Sequence, residues 1–121
     1  LKRLSIMKKY RIALFSFMVL ILIGSSIPGN AYPKVDLLNA DKIVHLFEYG
    51  FLGFLLFKAF PQDKTIYVLG LIICGILFGN FDEWYQQFTP GRFSSYWDIL
   101  ADSIGVIIGV TISKISWKKI K

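Results

Sequence analysis

The side chains best able to do chemistry in this chain are Asp41, His45, Glu48, Glu83, Gln86, Arg92, Asp98 and Asp102. Spacings of four, three and four place Asp41, His45, Glu48 and Leu52 on one helical stripe, with Tyr49 beside it. Further on, Glu83 and Gln86 share a helical face, as do Asp82 and Gln86. The same four-three-four step recurs in Asp98, Asp102, Gly105 and Gly109, acids first and glycines after. Three chemistries suit these types. His45, Glu48, Glu83 or Asp98 can serve as general acid or base, carboxylates with His45 can hold a divalent cation, and the fork of Arg92 can grip a carboxylate or phosphate.

Each feature also has a structural explanation. His45 and Glu48 could be a capping and hydrogen-bonding pair, and Lys42 is expected to reach toward lipid headgroups. Trp84, Tyr85 and Phe88 read as an interfacial aromatic belt. Arg92 could anchor to headgroups or pair with Glu83 or Asp98, and Asp98 suits the first turn of a helix through its dipole. For Asp102, about a turn deeper, that explanation is weaker. No familiar nucleophile stands out: Ser94 and Ser95 lack a surrounding GxSxG, and no glycine-rich phosphate loop exists. The single cysteine, Cys74, excludes an intramolecular disulfide and a cysteine-based zinc site. Cofactor and metal identity stay open at this stage.

The elements that must carry these residues are apolar blocks: Ile12 to Ile27, Ile43 to Phe60, Ile66 to Phe81 and Trp97 to Ile115. The 121 residues are 55% hydrophobic and 18% charged, with 11 Phe against 8 acids. That excess of apolar blocks is too great for the interior of one small soluble domain. The fold expected is all-α, a polytopic membrane protein of four transmembrane helices, because lipid offers backbone groups no partners. The shortest blocks would span about 24 Å, under the roughly 30 Å hydrocarbon thickness, so their polar ends should sit at headgroup depth.

Eleven of the 14 Lys and Arg (Lys2, Arg3, Lys8, Lys9, Arg11, Lys58, Lys64, Lys114, Lys118, Lys119 and Lys121) fall on one side of such an arrangement. Basic residues are retained on the cytoplasmic face, so both termini are expected there. The acids invert the pattern, with only Asp63 inside. The chain divides into a basic cytoplasmic segment (1–11), a membrane domain (12–115) and a basic tail (116–121). The first block also fits a cleavable signal peptide ending near Ala31, which would leave the later topology unchanged. Two GxxxG pairs, Gly75 with Gly79 and Gly105 with Gly109, predict a close approach of the third and fourth helices that sets Glu83 beside Asp98.

In these residues the chain resembles the VanZ-like family of small multi-pass bacterial membrane proteins. The likeness is carried by Asp41, Lys42, His45, Tyr49 and Gly53, then Asp82, Glu83, Gln86, Pro90, Gly91, Arg92, Asp98, Gly105 and Gly109, in a core spanning 36–109. The family typically carries Asn where this chain has Asp102, so an extra potential negative charge enters the cluster here. The resemblance implies an integral cell-membrane protein, and the family's name comes from a member associated with reduced sensitivity to the glycopeptide teicoplanin. It implies no particular reaction.

The leading expectation is that the outward polar residues (Asp41, His45, Tyr49, Glu83, Gln86, Arg92, Asp98 and Asp102) bind an amphiphilic envelope component, a lipid-linked precursor or a lipoglycopeptide, at the outer leaflet. The alternatives are an intramembrane hydrolase or transferase acting on a lipid headgroup, and a structural helper packed against a membrane enzyme through its glycine faces. The bilayer is the expected surrounding partner. Nucleic-acid binding is not expected, because the basic residues flank apolar blocks instead of forming a face interleaved with exposed aromatics. Transport would require oligomerisation, since four short helices leave little room for a pathway.

Overall fold

A computed structural model of the chain describes the backbone of residues 2–28, 38–91 and 96–120, and side chains over 2–28, 42–91 and 96–117. Among the described residues the fold is all-helical: α1 (Lys2–Ser26), α2 (Leu38–Ala59), α3 (Thr65–Gln86) and α4 (Tyr96–Ile120). The helices outrun the apolar blocks. α1 starts within the basic N-terminal run, and α4 continues through Trp117 into the basic tail.

Contacts at the ends define an up-down-up-down order. From the first half of α1 to the end of α2, Arg11 Nε donates to the carbonyl of Ala59 at 3.0 Å, and its guanidinium carbon lies 4.5 Å from the Phe60 ring centroid. This satisfies one of the carbonyls that every helix C-terminus leaves without an intrahelical partner. Where α1 and α3 end, Thr89 Oγ1 donates to the carbonyl of Ser25 at 2.9 Å. The last turn of α3 tightens there through three-residue bonds, Thr89 N to the Gln86 carbonyl at 3.0 Å among them. Gly91 then takes a positive φ of 76°, which glycine adopts without a Cβ penalty, so the chain can turn back toward α4. The first of these ends is basic. The second holds the acids.

The hub is α2, which packs on α1, α3 and, most extensively, α4. The core is built from Leu14 and Ile21 of α1, Tyr49, Leu52, Leu55 and Phe57 of α2, Val68 of α3, and Val106 and Val110 of α4. Phe17 of α1 meets Phe51 of α2 edge-on, with ring centroids 4.9 Å apart.

The glycine seam differs from expectation. A Cβ added at Gly105 would lie 2.6 Å from the Leu46 carbonyl oxygen and 2.9 Å from the Gly50 amide nitrogen. One at Gly109 would collide with the Gly50 carbonyl, and one at Gly53 with the Val106 carbonyl. The fourth helix therefore lays its glycine pair against α2, because Gly50 and Gly53 remove the side chains on the other wall and let two backbones touch. Gly75 and Gly79 do face α4, but they receive side chains, Val106 and Asp102 respectively.

The surface is inverted relative to a water-soluble protein. Phe15 and Val19, Phe47 and Phe51, Ile73 and Leu77, and Ile108 and Ile112 are exposed, a pair on each of the four helices. Meanwhile four carboxylates are buried. Hydroxyls that could not face lipid bare fold back on their own helix, as Ser103 and Thr111 do, donating to the carbonyls of Ile99 and Ile107 at 2.8 and 2.7 Å. Among the described residues two helices, α3 and the Tyr96–Trp117 stretch of α4, are long and apolar enough to cross a membrane. The other two carry more charge: α1 opens with Lys2, Arg3, Lys8, Lys9 and Arg11, and α2 contains Asp41, Lys42, His45, Glu48 and Lys58.

Candidate functional site

All four helices send polar side chains to the acid end of the bundle. Asp82, Glu83, Asp98 and Asp102 are each no more than 3% exposed, and His45 is 8% exposed. They are buried because α2 and α4 touch backbone to backbone while α3 closes over both through its own glycines. A Cβ at Gly79 would sit 3.2 Å from the Asp102 Cβ and 3.3 Å from Tyr49 Cε2, so the absence of a side chain there makes room for both.

Two hydrogen-bonded groups occupy the cluster. In the first, Asp82 accepts from Tyr49 Oη at 2.8 Å and from Ser25 Oγ of α1, and Gln86 Nε2 donates to the same Ser25 Oγ at 3.1 Å. Ser25 thus bridges a carboxylate and an amide from successive turns of α3. In the second, His45 Nδ1 lies 2.8 Å from Asp102 Oδ1 and 4.0 Å from Glu83 Oε1. The other oxygen of Asp102, Oδ2, is buried with no hydrogen-bond partner among the described residues. Lys42 Nζ forms an ion pair with Asp98 Oδ1 at the rim. One donor atom each from His45, Glu83 and Asp98 lies within 4.8 Å of the other two, so this trio, drawn from three helices, could hold a metal ion.

The geometry allows several chemical roles. A carboxylate holding a histidine nitrogen fixes the ring's orientation, the arrangement used by general bases and by metal-ligating histidines alike. Glu83 and Asp98 lie within reach of the same region.

The sequence-derived candidates fall into three groups. The structure gathers His45, Tyr49, Glu83, Gln86, Asp98 and Asp102 at one end of the bundle, all buried. Glu48 is half-buried on the same helix and stays outside the His45–Glu83–Asp98 trio. The side chain of Asp41 and the whole of Arg92 lie outside the described residues, as do Ser94 and Ser95. Lys42, expected to reach headgroups, is half-buried and pairs with Asp98.

Sequence reasoning passed over Ser25 and Thr89 and gave Asp82 no site role. A signal for Asp82 was present in its position next to Glu83: consecutive residues on a helix point about 100° apart, so two adjacent buried acids require a wide protein-facing surface. Ser25 had only its place beside Ser26 at the end of an apolar block to mark it.

Below the cluster, between α2 and α4, runs an apolar groove of about 460 Å³. Gly50, Gly105 and Gly109 form its floor, and Phe47, Phe51, Phe54, Ile108 and Ile112 its walls. It starts at Leu46, the residue after His45, and at Gly105, one helical turn past Asp102.

Inverted surface, buried acids and two membrane-length helices together define an α-helical membrane protein. The family model of VanZ/LLP1 matches residues 4–117, and the chain belongs to that family. Comparison with curated proteins and with solved structures finds no match in either.

Proposed function

We propose that all four helices cross the cell membrane with the acid end outward and both termini cytoplasmic, so that residues 1–11 and 116–121 flank a membrane domain over 12–115. In this arrangement the cluster binds the polar group of an amphiphilic envelope component, a lipid-linked precursor or a lipoglycopeptide, and changes how glycopeptides such as teicoplanin engage precursors. The observation that carries the reading is the juxtaposition of a buried polar cluster and an apolar groove that begins just below it. Ionisable side chains in a span usually mark a buried pair or a functional site. A ligand with a polar head and an acyl chain matches both parts at once: the head meets His45, Glu83 and Asp98, and the chain lies along Phe47, Phe51 and Ile108. Family membership supports the link to teicoplanin.

The test is teicoplanin susceptibility of a deletion strain complemented with the wild-type chain or with His45→Ala or Arg92→Ala, each at matched membrane levels. The expected result is a susceptibility shift restored by the wild type and lost in both variants. Variants that insert normally and behave as the wild type in susceptibility and in envelope lipid content would overturn the reading.

The His45–Asp102 pair favours one rival, an intramembrane enzyme that uses His45 as acid or base on a lipid headgroup. Loss of lipid turnover in Glu83→Gln would select it over simple binding.

A further inference from the structure

We propose that His45, Glu83 and Asp98 form a binding site for one divalent transition-metal ion of the zinc class, with Asp102 positioning the histidine. This deepens the reading above by naming what holds the headgroup. One donor atom from each of the three residues already lies within 4.8 Å of the others. Metal–ligand bonds of about 2.0–2.2 Å in a tetrahedral site bring donors to roughly 3.4 Å apart, so closure needs side-chain shifts of about 1.5 Å or less.

Two independent features point to a cation. The first is charge. Asp82, Glu83, Asp98 and Asp102 are buried together. Among the described residues, the basic side chains paired with these four carboxylates are Lys42 and His45, fewer than the acids. A buried carboxylate is costly unless paired, protonated or bound to a metal. The second is Asp102. It is 1% exposed, one oxygen holds His45 Nδ1 at 2.8 Å, and the other has no hydrogen-bond partner among the described residues. A carboxylate behind a histidine is the usual support of a metal-ligating imidazole, fixing its tautomer and raising its basicity.

The donor set selects the ion. One imidazole with two carboxylates suits zinc or manganese, whereas magnesium prefers oxygen ligands throughout. Three protein ligands leave coordination positions open. An oxygen of a phosphate- or carboxylate-bearing headgroup would complete the shell. Lys42, paired with Asp98 at the rim, competes with the metal for the same carboxylate.

The full chain, purified in detergent and stripped of metal, is titrated with Zn²⁺ alone, with Mg²⁺ as comparator and no lipid ligand added. The expected result is one Zn²⁺ per chain, not displaced by Mg²⁺. Affinity should fall by about tenfold or more in His45→Gln and in Asp102→Asn, and rise in Lys42→Met, which frees Asp98. A merely structural role for Lys42 predicts no gain, so this variant, altered only at the half-buried rim, decides the matter even if a deeper one fails to fold. Absence of stoichiometric Zn²⁺, or equal binding by the wild type, His45→Gln and Lys42→Met, overturns the site. Absence of Zn²⁺ binding in a chain whose His45→Ala variant still loses the teicoplanin susceptibility shift overturns the metal site and leaves the proposed function standing. Zn²⁺ binding with no effect of the variants on teicoplanin susceptibility does the reverse.

Discussion

Asp82 and Asp102 are both carboxylates at 1% exposure, yet their surroundings differ: Asp82 collects hydroxyl donors from Tyr49 and Ser25, whereas Asp102 holds the ring of His45. Removing a donor from the first group leaves a buried acceptor less satisfied. Tyr49→Phe is therefore expected to lower stability by about 1–3 kcal/mol, measured by denaturant unfolding in detergent. In the second group the partners depend on each other. A double-mutant cycle of His45→Ala and Asp102→Ala should show a coupling of about 0.5–3 kcal/mol, and simple additivity would mean that their 2.8 Å approach carries no energy. His45, Glu83, Asp98 and Asp102 were legible in the sequence because ionisable side chains inside or just beyond an apolar block are conspicuous. Ser25 was not, since a lone hydroxyl at a block end has no periodicity to reveal its partner 57 residues away.

At the scale of the helix, the seam between α2 and α4 positions the site. Gly109 sits on the Gly50 carbonyl and 2.7 Å, measured from an added Cβ, from the Phe54 amide nitrogen, whereas nothing lies within 4 Å of a Cβ at Gly70. Gly109→Leu must push two backbones apart and is expected to cost about 3 kcal/mol or more, an overpacking penalty at the upper end of the usual range. Gly70→Leu on the open face should be close to neutral. Thermal unfolding of the two variants side by side checks the contrast, and equal effects would contradict the seam. Four helices and their approximate limits could be read from the apolar blocks. The partner of Gly105 and Gly109 could not, because a GxxxG pair marks a surface able to approach closely without naming what approaches it. Gly50 and Gly53, three residues apart on α2, held the missing half of that information.

At the scale of the whole molecule, most of the charge among the described residues is sorted by end, Lys42 and Asp63 excepted. Arg11, Lys58 and Lys64 lie near the α2–α3 turn, where Lys58 and Lys64 sit 5.5 and 6.0 Å from the ring centroids of Phe54 and Tyr67. At the opposite end lie Asp82, Glu83, Asp98 and Asp102. In the proposed orientation the positive-inside rule puts the basic end in the cytoplasm and the acid cluster on the opposite side. Charge sorting was visible in the sequence, whereas the tying of α1 to α3 through Ser25 and Thr89 emerged only from the fold.

The most direct test of that orientation replaces Cys74 with Ser and introduces single cysteines at Tyr96, which is 90% exposed where α4 begins, and at Lys64, exposed in the basic turn. Intact bacterial cells producing each variant are treated with a membrane-impermeant maleimide. An outward acid end gives labelling at position 96 in intact cells and at position 64 only after permeabilisation; labelling of both from one side, or of 64 alone in intact cells, would exclude that orientation.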